Sequence, residues 1–114
     1  MRSLLLASTF AFATLSTIAC STPDLTPGGE KVIASPNPPA ANCTRLDRVV
    51  GRGGGSFGGE FVANEDLIEY ATNDARNLAA ELGGNYLQTD PPQLGQADGT
   101  TTTATVSGTA YKCP

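Results

Sequence analysis

Hydrophobic residues along this chain recur with two different periods, and each period predicts a different element. Between Asn64 and Leu82 apolar positions fall three or four residues apart, as on one face of an α-helix. We therefore predict a helix over residues 64–82, with Asn64 as N-cap and Gly83 as its stop. Its buried face is predicted to carry Leu67, Ala71, Ala75, Leu78 and Leu82. Its solvent face is predicted to carry Glu69, Asn73, Arg76, Asn77 and Glu81.

Four other segments have the composition or the alternation of β-strands. In residues 100–113 small or apolar residues alternate with Thr, Ser and Tyr, which predicts a half-buried strand, although four successive threonines also suit a solvated loop. Further strands are predicted at residues 31–34, 44–50 and 85–89, and loops at residues 51–59 and 94–99. The pattern predicts an α+β domain of two layers, with one helix packed on a mostly antiparallel sheet of about four strands.

The N-terminal segment has the features of an export signal. Arg2 precedes an apolar stretch that runs from Leu4 to Ala19. This stretch is too short and too rich in Ser and Thr for a spanning helix, which needs roughly 20 mostly apolar residues. A basic start, an apolar stretch and a small residue before the cut site are typical of a secretory signal peptide. We predict that residues 1–19 are removed.

Cys20 stands directly after the predicted cut. Ile18 and Ala19 before it resemble the lipobox of bacterial lipoproteins, although Thr17 stands where an aliphatic residue is usual. We predict that Cys20 carries the acyl chains, palmitate among them, since two chains suffice for stable anchoring. The alternatives are an ordinary signal peptide with Cys20 as an incidental thiol, and an uncleaved anchor.

The predicted anchor implies a cellular location for the mature chain. By resemblance to other lipoproteins, Ser21 after the cysteine implies a lipid-anchored protein of the outer membrane that faces the periplasm. Residues 20–29 contain two prolines and two glycines and are predicted to be an irregular, lipidated tether. Residues 30–114 then form a single domain. If residues 31–34 are not a strand, the tether extends to about residue 42.

The charge balance of the mature chain is acidic. Removal of residues 1–19 takes away Arg2 and leaves 6 Lys+Arg against 11 Asp+Glu, a net charge of −5. The sequence shows no basic stripe, so nucleic acids and anionic lipid headgroups are expected to be poor partners.

Three cysteines, an odd number, become an anchor and a pair if Cys20 carries lipid. Cys43 and Cys113 are then expected to form a disulfide in the oxidising compartment beyond the inner membrane. Closing so long a loop stabilises a fold by roughly 4 kcal/mol on the chain-entropy model. The alternative is a reactive or metal-binding thiol pair, but the chain has no His and no CxxC spacing.

Several motifs together resemble a known family. They are the lipobox, LTPGGEKV at 25–32, NC at 42–43, GGSFGGEF at 54–61, NEDL at 64–67, ATND at 71–74, LGGNY at 82–86 and YKCP at 111–114. In this combination the chain resembles the YjeI-type small lipoproteins of Gram-negative bacteria, a domain-of-unknown-function family. More distantly it is similar to the stress-sensor lipoprotein RcsF and to YbjQ-like domains. The resemblance implies a compact α/β module of the cell envelope and assigns no catalytic residues.

The glycine-rich segment is the motif with the most interpretations. Residues 53–58 formally match G-x-G-x-x-G, but the predicted helix begins too late and no βαβ repeat fits, so nucleotide binding is disfavoured. A turning loop that exploits glycine's tolerance of positive φ is the simpler interpretation. A docking loop is the third, in which Arg52, Phe57 and Phe61 would present anchors to a partner.

Catalysis finds little support in the residue types present. Without His the Ser-His-Asp and Cys-His arrangements are impossible. We therefore expect no enzyme activity, no cofactor and no metal, and a binding or stress-sensing module whose partner is an envelope protein or peptidoglycan. A purely structural envelope lipoprotein is the alternative, and an envelope hydrolase a weaker one.

The anchor generates the first testable prediction. Cys20→Ser removes the acylation site, so the variant should be recovered as soluble periplasmic or unprocessed protein, whereas the wild-type chain sediments with membranes. Membrane fractionation of cells that express the two forms measures this. Unchanged sedimentation of Cys20→Ser would contradict lipidation at this residue.

Overall fold

The computed structural model describes residues 25–54, 63–97 and 100–114. Cys20, Phe57 and Phe61 lie outside the described residues, as do the whole predicted signal and residues 55–59 of the predicted glycine loop. In chain order the elements are α1 (Pro27–Glu30), β1 (Ile33–Ser35), β2 (Thr44–Gly54), α2 (Asn64–Glu81), β3 (Tyr86–Thr89), β4 (Gln93–Ala97) and β5 (Thr100–Lys112). The predicted α+β class is confirmed.

The five strands form one mixed sheet around β5. β2 pairs antiparallel with one edge of β5, and β3 and β4 pair antiparallel with successive parts of its other edge. β1 completes the sheet by pairing parallel with β3. β4 corrects the prediction of a loop at residues 94–99, and the predicted strand at residues 31–34 begins two residues later, at Ile33.

Strand β5 is last in the sequence but central in the sheet. Because β2 and β3 both run antiparallel to β5, they are parallel to each other, and α2 connects them across it. This is a split βαβ unit, in which the third strand is inserted between the two that the helix joins. Residues 100–112 are a strand throughout, so the threonine run belongs to the sheet and the loop alternative is wrong.

Helix α2 packs across β2 and β5 through small residues. Its buried residues are Leu67, Ala71, Ala75 and Ala79. The buried stripe therefore passes through Ala79, whereas predicted Leu78 is half-buried and Leu82 is 44% exposed. The helix begins at Asn64 as predicted, but Ala63 occupies the cap position without a side-chain hydrogen bond, so the prediction of Asn64 as N-cap is wrong.

Two glycines of β2 let the helix approach the strand backbone. A Cβ on Gly51 would overlap the Ala71 carbonyl oxygen and lie 2.8 Å from the Ala75 Cβ. A Cβ on Gly53 would overlap the Leu67 carbonyl oxygen and lie 2.8 Å from the Ala71 amide nitrogen. Gly51–Gly54 are therefore strand residues under a helix, which corrects the prediction of a loop from residue 51 onward.

The segment before β1 contains the short helix α1, Pro27–Glu30. The prediction of an irregular tether is therefore wrong for residues 27–29. Thr26 caps this short helix by accepting a hydrogen bond from the Gly29 amide. Asn77 of α2 accepts a hydrogen bond from the Thr26 amide at 2.9 Å. Arg76 donates to the Val32 carbonyl oxygen at 2.9 Å. Two residues predicted to face solvent therefore hold α1 and β1 against α2.

A covalent bridge closes one corner of the sheet. Cys43 and Cys113 form a disulfide with their Cα atoms 4.2 Å apart, directly beyond the paired residues Thr44 and Lys112. Beside it, the Asn85 side chain donates to the Cys113 carbonyl oxygen at 2.8 Å and accepts from its amide at 2.7 Å. The predicted disulfide is confirmed, and it ties the start of β2 to the end of β5.

The glycine contact predicts a specific destabilisation. Gly51→Ala inserts a methyl group between β2 and the backbone of α2, which should lower the free energy of unfolding by about 1–3 kcal/mol. Urea denaturation with the disulfide intact measures it. The matched control is Val50→Thr, which keeps a β-branched residue at an exposed position of the same strand and should change stability by less than about 0.5 kcal/mol. Equal stability of Gly51→Ala and wild type would contradict the close contact.

The disulfide predicts a second effect on stability. The Cys43→Ala/Cys113→Ala double variant opens a cross-link between residues 70 positions apart. It should lose roughly 4 kcal/mol of unfolding free energy on the chain-entropy model. The matched chemical measurement is alkylation of purified, unreduced wild-type protein, which should label neither Cys43 nor Cys113. Quantitative labelling of both would reject the bridge in the native protein.

Candidate functional site: the outer face of the sheet

The sheet has one face under α2 and one face that none of the described elements covers, which we call the outer face. Residues paired across strands share a face, so the strand register defines its members. On central β5 they are Thr103, Thr105, Ser107, Thr109 and Tyr111. On β2 they are Arg45, Arg48, Val50 and Arg52. Tyr86 and Gln88 of β3 lie opposite Tyr111 and Thr109.

A β-bulge brings the three arginines of β2 to this face. Arg45 pairs with Tyr111 and Arg48 pairs with Thr109, so three steps along β2 correspond to two steps along β5. In a regular strand residues three apart point to opposite faces, and one extra residue restores the same side. The fold therefore contains a basic stripe, which corrects the expectation from the sequence that there is none.

The middle arginine of the stripe, Arg48, is bonded to neighbouring side chains. Arg48 forms an ion pair with Asp90, and both side chains are about half exposed. Its guanidinium also donates to the Thr109 hydroxyl at 3.2 Å. The backbone amide of Arg48 donates to the Asp47 carboxylate at 2.7 Å. An exposed pair of this kind contributes little to stability, typically 0–1 kcal/mol, but it fixes where the guanidinium lies.

The outer two arginines have no such partners. Arg45 and Arg52 are exposed, and in the described part of the chain neither guanidinium takes part in a hydrogen bond or an ion pair. The backbone of Arg52 is nevertheless fixed, since its amide donates to the Asp74 carboxylate of α2 at 2.9 Å. The stripe therefore offers two available cations at its ends and one neutralised cation in its middle.

Hydroxyl groups fill the space between the arginines and β3. Thr105 and Ser107 are half-buried in the centre of the outer face. Tyr86 donates its hydroxyl to the Asn37 carbonyl oxygen at 2.7 Å, and the Tyr111 hydroxyl lies 3.4 Å from the Gln88 side-chain oxygen. The outer face is thus a flat array of hydroxyls with two tyrosines at one end.

The inner side of the sheet also has a small cavity. Its volume is about 170 Å³, and it lies between α2, the end of β3 and the chain around Pro36. Its walls include Ala34, Ile68, Thr72 and Val106. The Thr72 hydroxyl is already bonded to the Ile68 carbonyl oxygen at 2.7 Å. Because ligand pockets usually measure about 300–1,000 Å³, this cavity is a packing gap rather than the site.

The described residues give no support for a metal centre, a membrane-spanning helix or a phosphate-binding loop. Among them, no three His, Cys, Asp or Glu side chains cluster closely enough to hold a metal ion. Neither described helix is long and apolar enough to cross a membrane. Gly53 pairs with Ala104 in the sheet and lies beneath α2, so it cannot serve as the first glycine of a phosphate-binding loop.

The predicted site residues fall into three groups. Cys43 and Cys113 form the disulfide. Arg52, predicted on a docking loop, lies instead on β2 and on the outer face. Cys20, Phe57 and Phe61 lie outside the described residues, so lipidation and the docking loop stay predictions. The sequence analysis missed Arg45 and Arg48, whose spacing of three hides their common face.

Comparisons with known proteins agree with the resemblance found in the sequence. The chain is 29% identical over 105 residues to the uncharacterized protein YjeI of Escherichia coli strain K12, with 90% of each chain covered. The YjeI proteins of E. coli O6:H1 strain CFT073 and of Shigella flexneri match with the same identity and coverage. The predicted membership of a YjeI-like family is confirmed.

The solved structures add no relative, since none of them matches this chain. The distant similarity to RcsF and YbjQ-like domains therefore stays a prediction. The sequence model described as a domain of unknown function, DUF4156, matches residues 23–113, which includes α1, the whole sheet, α2 and the disulfide. This chain is a member of the DUF4156 family.

Proposed function

We propose that this protein is a lipid-anchored binding module of the bacterial cell envelope that performs no catalysis. In this proposal Cys20 carries the lipid, the outer membrane holds the anchor, and the folded domain presents its outer face to a partner in the periplasm. The observation that carries the proposal is the outer face itself, where two guanidiniums without a partner among the described residues lie beside a row of hydroxyl groups.

The disulfide supports the envelope location. Disulfides persist in the periplasm and at cell surfaces, and they are rare in the cytosol of most bacteria. Cys43 and Cys113 bridge the start of β2 and the end of β5 in a domain whose buried core is built largely from alanine and valine. A small domain with such a core gains much from a covalent closure, so the fold suits an oxidising compartment.

The distribution of polar residues supports binding over catalysis. A catalytic site usually gathers convergent polar groups in a concave pocket. Among the described residues, polar groups gather on the open face of the sheet, and the hydroxyl of Thr72 in the cavity is engaged by the helix backbone. Flat polar surfaces suit recognition of extended or bulky partners.

Photo-crosslinking in living cells tests the proposal. A photoreactive amino acid at Thr105, in the centre of the outer face, should form adducts with a component of the envelope. The matched control is the same amino acid at Glu69, which is exposed on α2 in the opposite layer and should form none. Full-length lipidated protein is used in both cases, so that the anchor is shared.

Each outcome of this experiment bears on the choice between functions. Adducts at Thr105 alone support a binding module. Adducts at neither position favour the structural alternative, in which the protein merely occupies the envelope. Adducts at Glu69 with none at Thr105 would move the binding surface to α2 and contradict the outer face as the site.

A further inference from the structure

The two available guanidiniums of the outer face indicate the chemistry of its ligand. We propose that the outer face binds an acidic glycan strand, with Arg45 and Arg52 holding carboxylates of that strand. This inference rests on the proposed function and names the ligand class of the same surface. Arginine suits the role because its planar fork binds a carboxylate through two parallel hydrogen bonds.

The separation of the two arginines requires an extended ligand. Their partners on β5, Tyr111 and Thr105, are six residues apart. Since a strand rises about 3.3 Å per residue, the backbones at the two positions lie about 20 Å apart. A small molecule cannot reach both. A polymer lying along β2 and β5 reaches both.

The groups between the arginines favour a sugar polymer. Thr105 and Ser107 present half-buried hydroxyls along the path, and hydroxyls both donate and accept hydrogen bonds, as sugar hydroxyls do. Tyr86 and Tyr111 at one end are amphipathic rings, whose apolar faces suit the apolar faces of sugar rings. Asp90 pairs with Arg48 in the middle of the path, so the charge available to the ligand is concentrated at its ends.

A membrane surface fits these observations less well. Within the described residues, the large exposed aliphatic side chains of the outer face are Ile33, on the edge strand β1, and Val50, on the opposite edge strand β2. The width of β3 and β5 separates them, so they form no continuous apolar patch that would insert between lipids.

An extended peptide also fits less well. Peptides that recognise a sheet usually add a strand to an open edge. The β2 edge is engaged at Arg52, whose amide donates to Asp74. The arginine, tyrosine and hydroxyl groups instead project from the face of the sheet. The face offers a peptide no row of backbone N–H and C=O groups with which to pair.

The acidic net charge of the chain does not prevent this binding. Four of the seven exposed carboxylates among the described residues lie on α2: Glu65, Asp66, Glu69 and Glu81. A helix layer about 10 Å thick separates them from the outer face, and the Debye length at 0.1 M salt is also about 10 Å. Nearer the stripe, Asp47 and Asp90 are both bonded to Arg48, so Arg45 and Arg52 are the cations that remain for a ligand on the outer face.

Affinity electrophoresis of the full-length, detergent-solubilised lipoprotein tests the inference. Polygalacturonate in a native gel supplies a soluble carboxylated glycan, and dextran supplies an uncharged one. Wild-type protein should be retarded by polygalacturonate and not by dextran. Arg45→Gln/Arg52→Gln should raise the dissociation constant about tenfold or more, as expected for the loss of two exposed charge-assisted contacts.

The matched control removes the same charge from elsewhere. Lys31→Gln/Lys112→Gln also loses two exposed cations, but neither residue belongs to the outer face. It should bind polygalacturonate like the wild type, and both double variants should unfold at the same temperature. Equal weakening of the two variants would show a response to net charge and would overturn the inference. So would retardation by dextran, or no retardation of wild-type protein.

Two further probes separate the ligand classes. Isolated peptidoglycan sacculi should retain the wild type and release it in 0.5 M salt, because the contacts are exposed and screened. Tighter binding to vesicles of anionic lipid than to either glycan would overturn the inference in favour of a membrane. If Thr105 forms adducts with an envelope protein in cells while no glycan binds, the inference of a glycan ligand is rejected. The proposed function as a binding module is then still supported.

Discussion

The close contact between α2 and the backbone of β2 is the constraint on which the rest of this fold depends. Gly51 and Gly53 contribute no side chain, so Ala71 and Ala75 of the helix lie directly against the strand. The layer between helix and sheet is therefore thin. Its large side chains, Leu67 and Leu87, are fully buried, but most of its other members are alanines and valines. Such residues bury little apolar area each, so the core alone contributes modestly to stability.

The order of the strands explains why a covalent bridge suits this fold. β5 is the last strand of the chain, yet it pairs with β2, β3 and β4 and holds the sheet together. The pairings with β2 and β3 are distant in sequence, and ordering them costs chain entropy before contacts are gained. The disulfide joins residues 70 positions apart at the corner where β2 begins and β5 ends. It therefore restrains the most distant pairing of the sheet in the unfolded chain.

The sequence predicts those elements in which one physical signal dominates. The helix over residues 64–82 and the alternating strand over residues 100–113 follow from periodicity and are present almost as predicted. The remaining elements depend on tertiary contacts. Glycines at 51 and 53 normally indicate a loop, but the approach of α2 makes them strand residues. The Pro-Gly-Gly segment at 27–29 normally excludes regular structure, but hydrogen bonds from Thr26 to Asn77 hold it as a helical turn.

The outer face shows that the charge of one surface can differ from the net charge of the whole chain. Strict alternation along a strand would put residues three apart, such as Arg45 and Arg48, on opposite sides, and the chain as a whole is acidic. The bulge in β2 reverses the first conclusion, because it turns both arginines to the side that α2 leaves uncovered. The helix then carries many of the carboxylates in the other layer. Net charge therefore limits what the molecule attracts from a distance, while the strand register decides what each face can bind on contact.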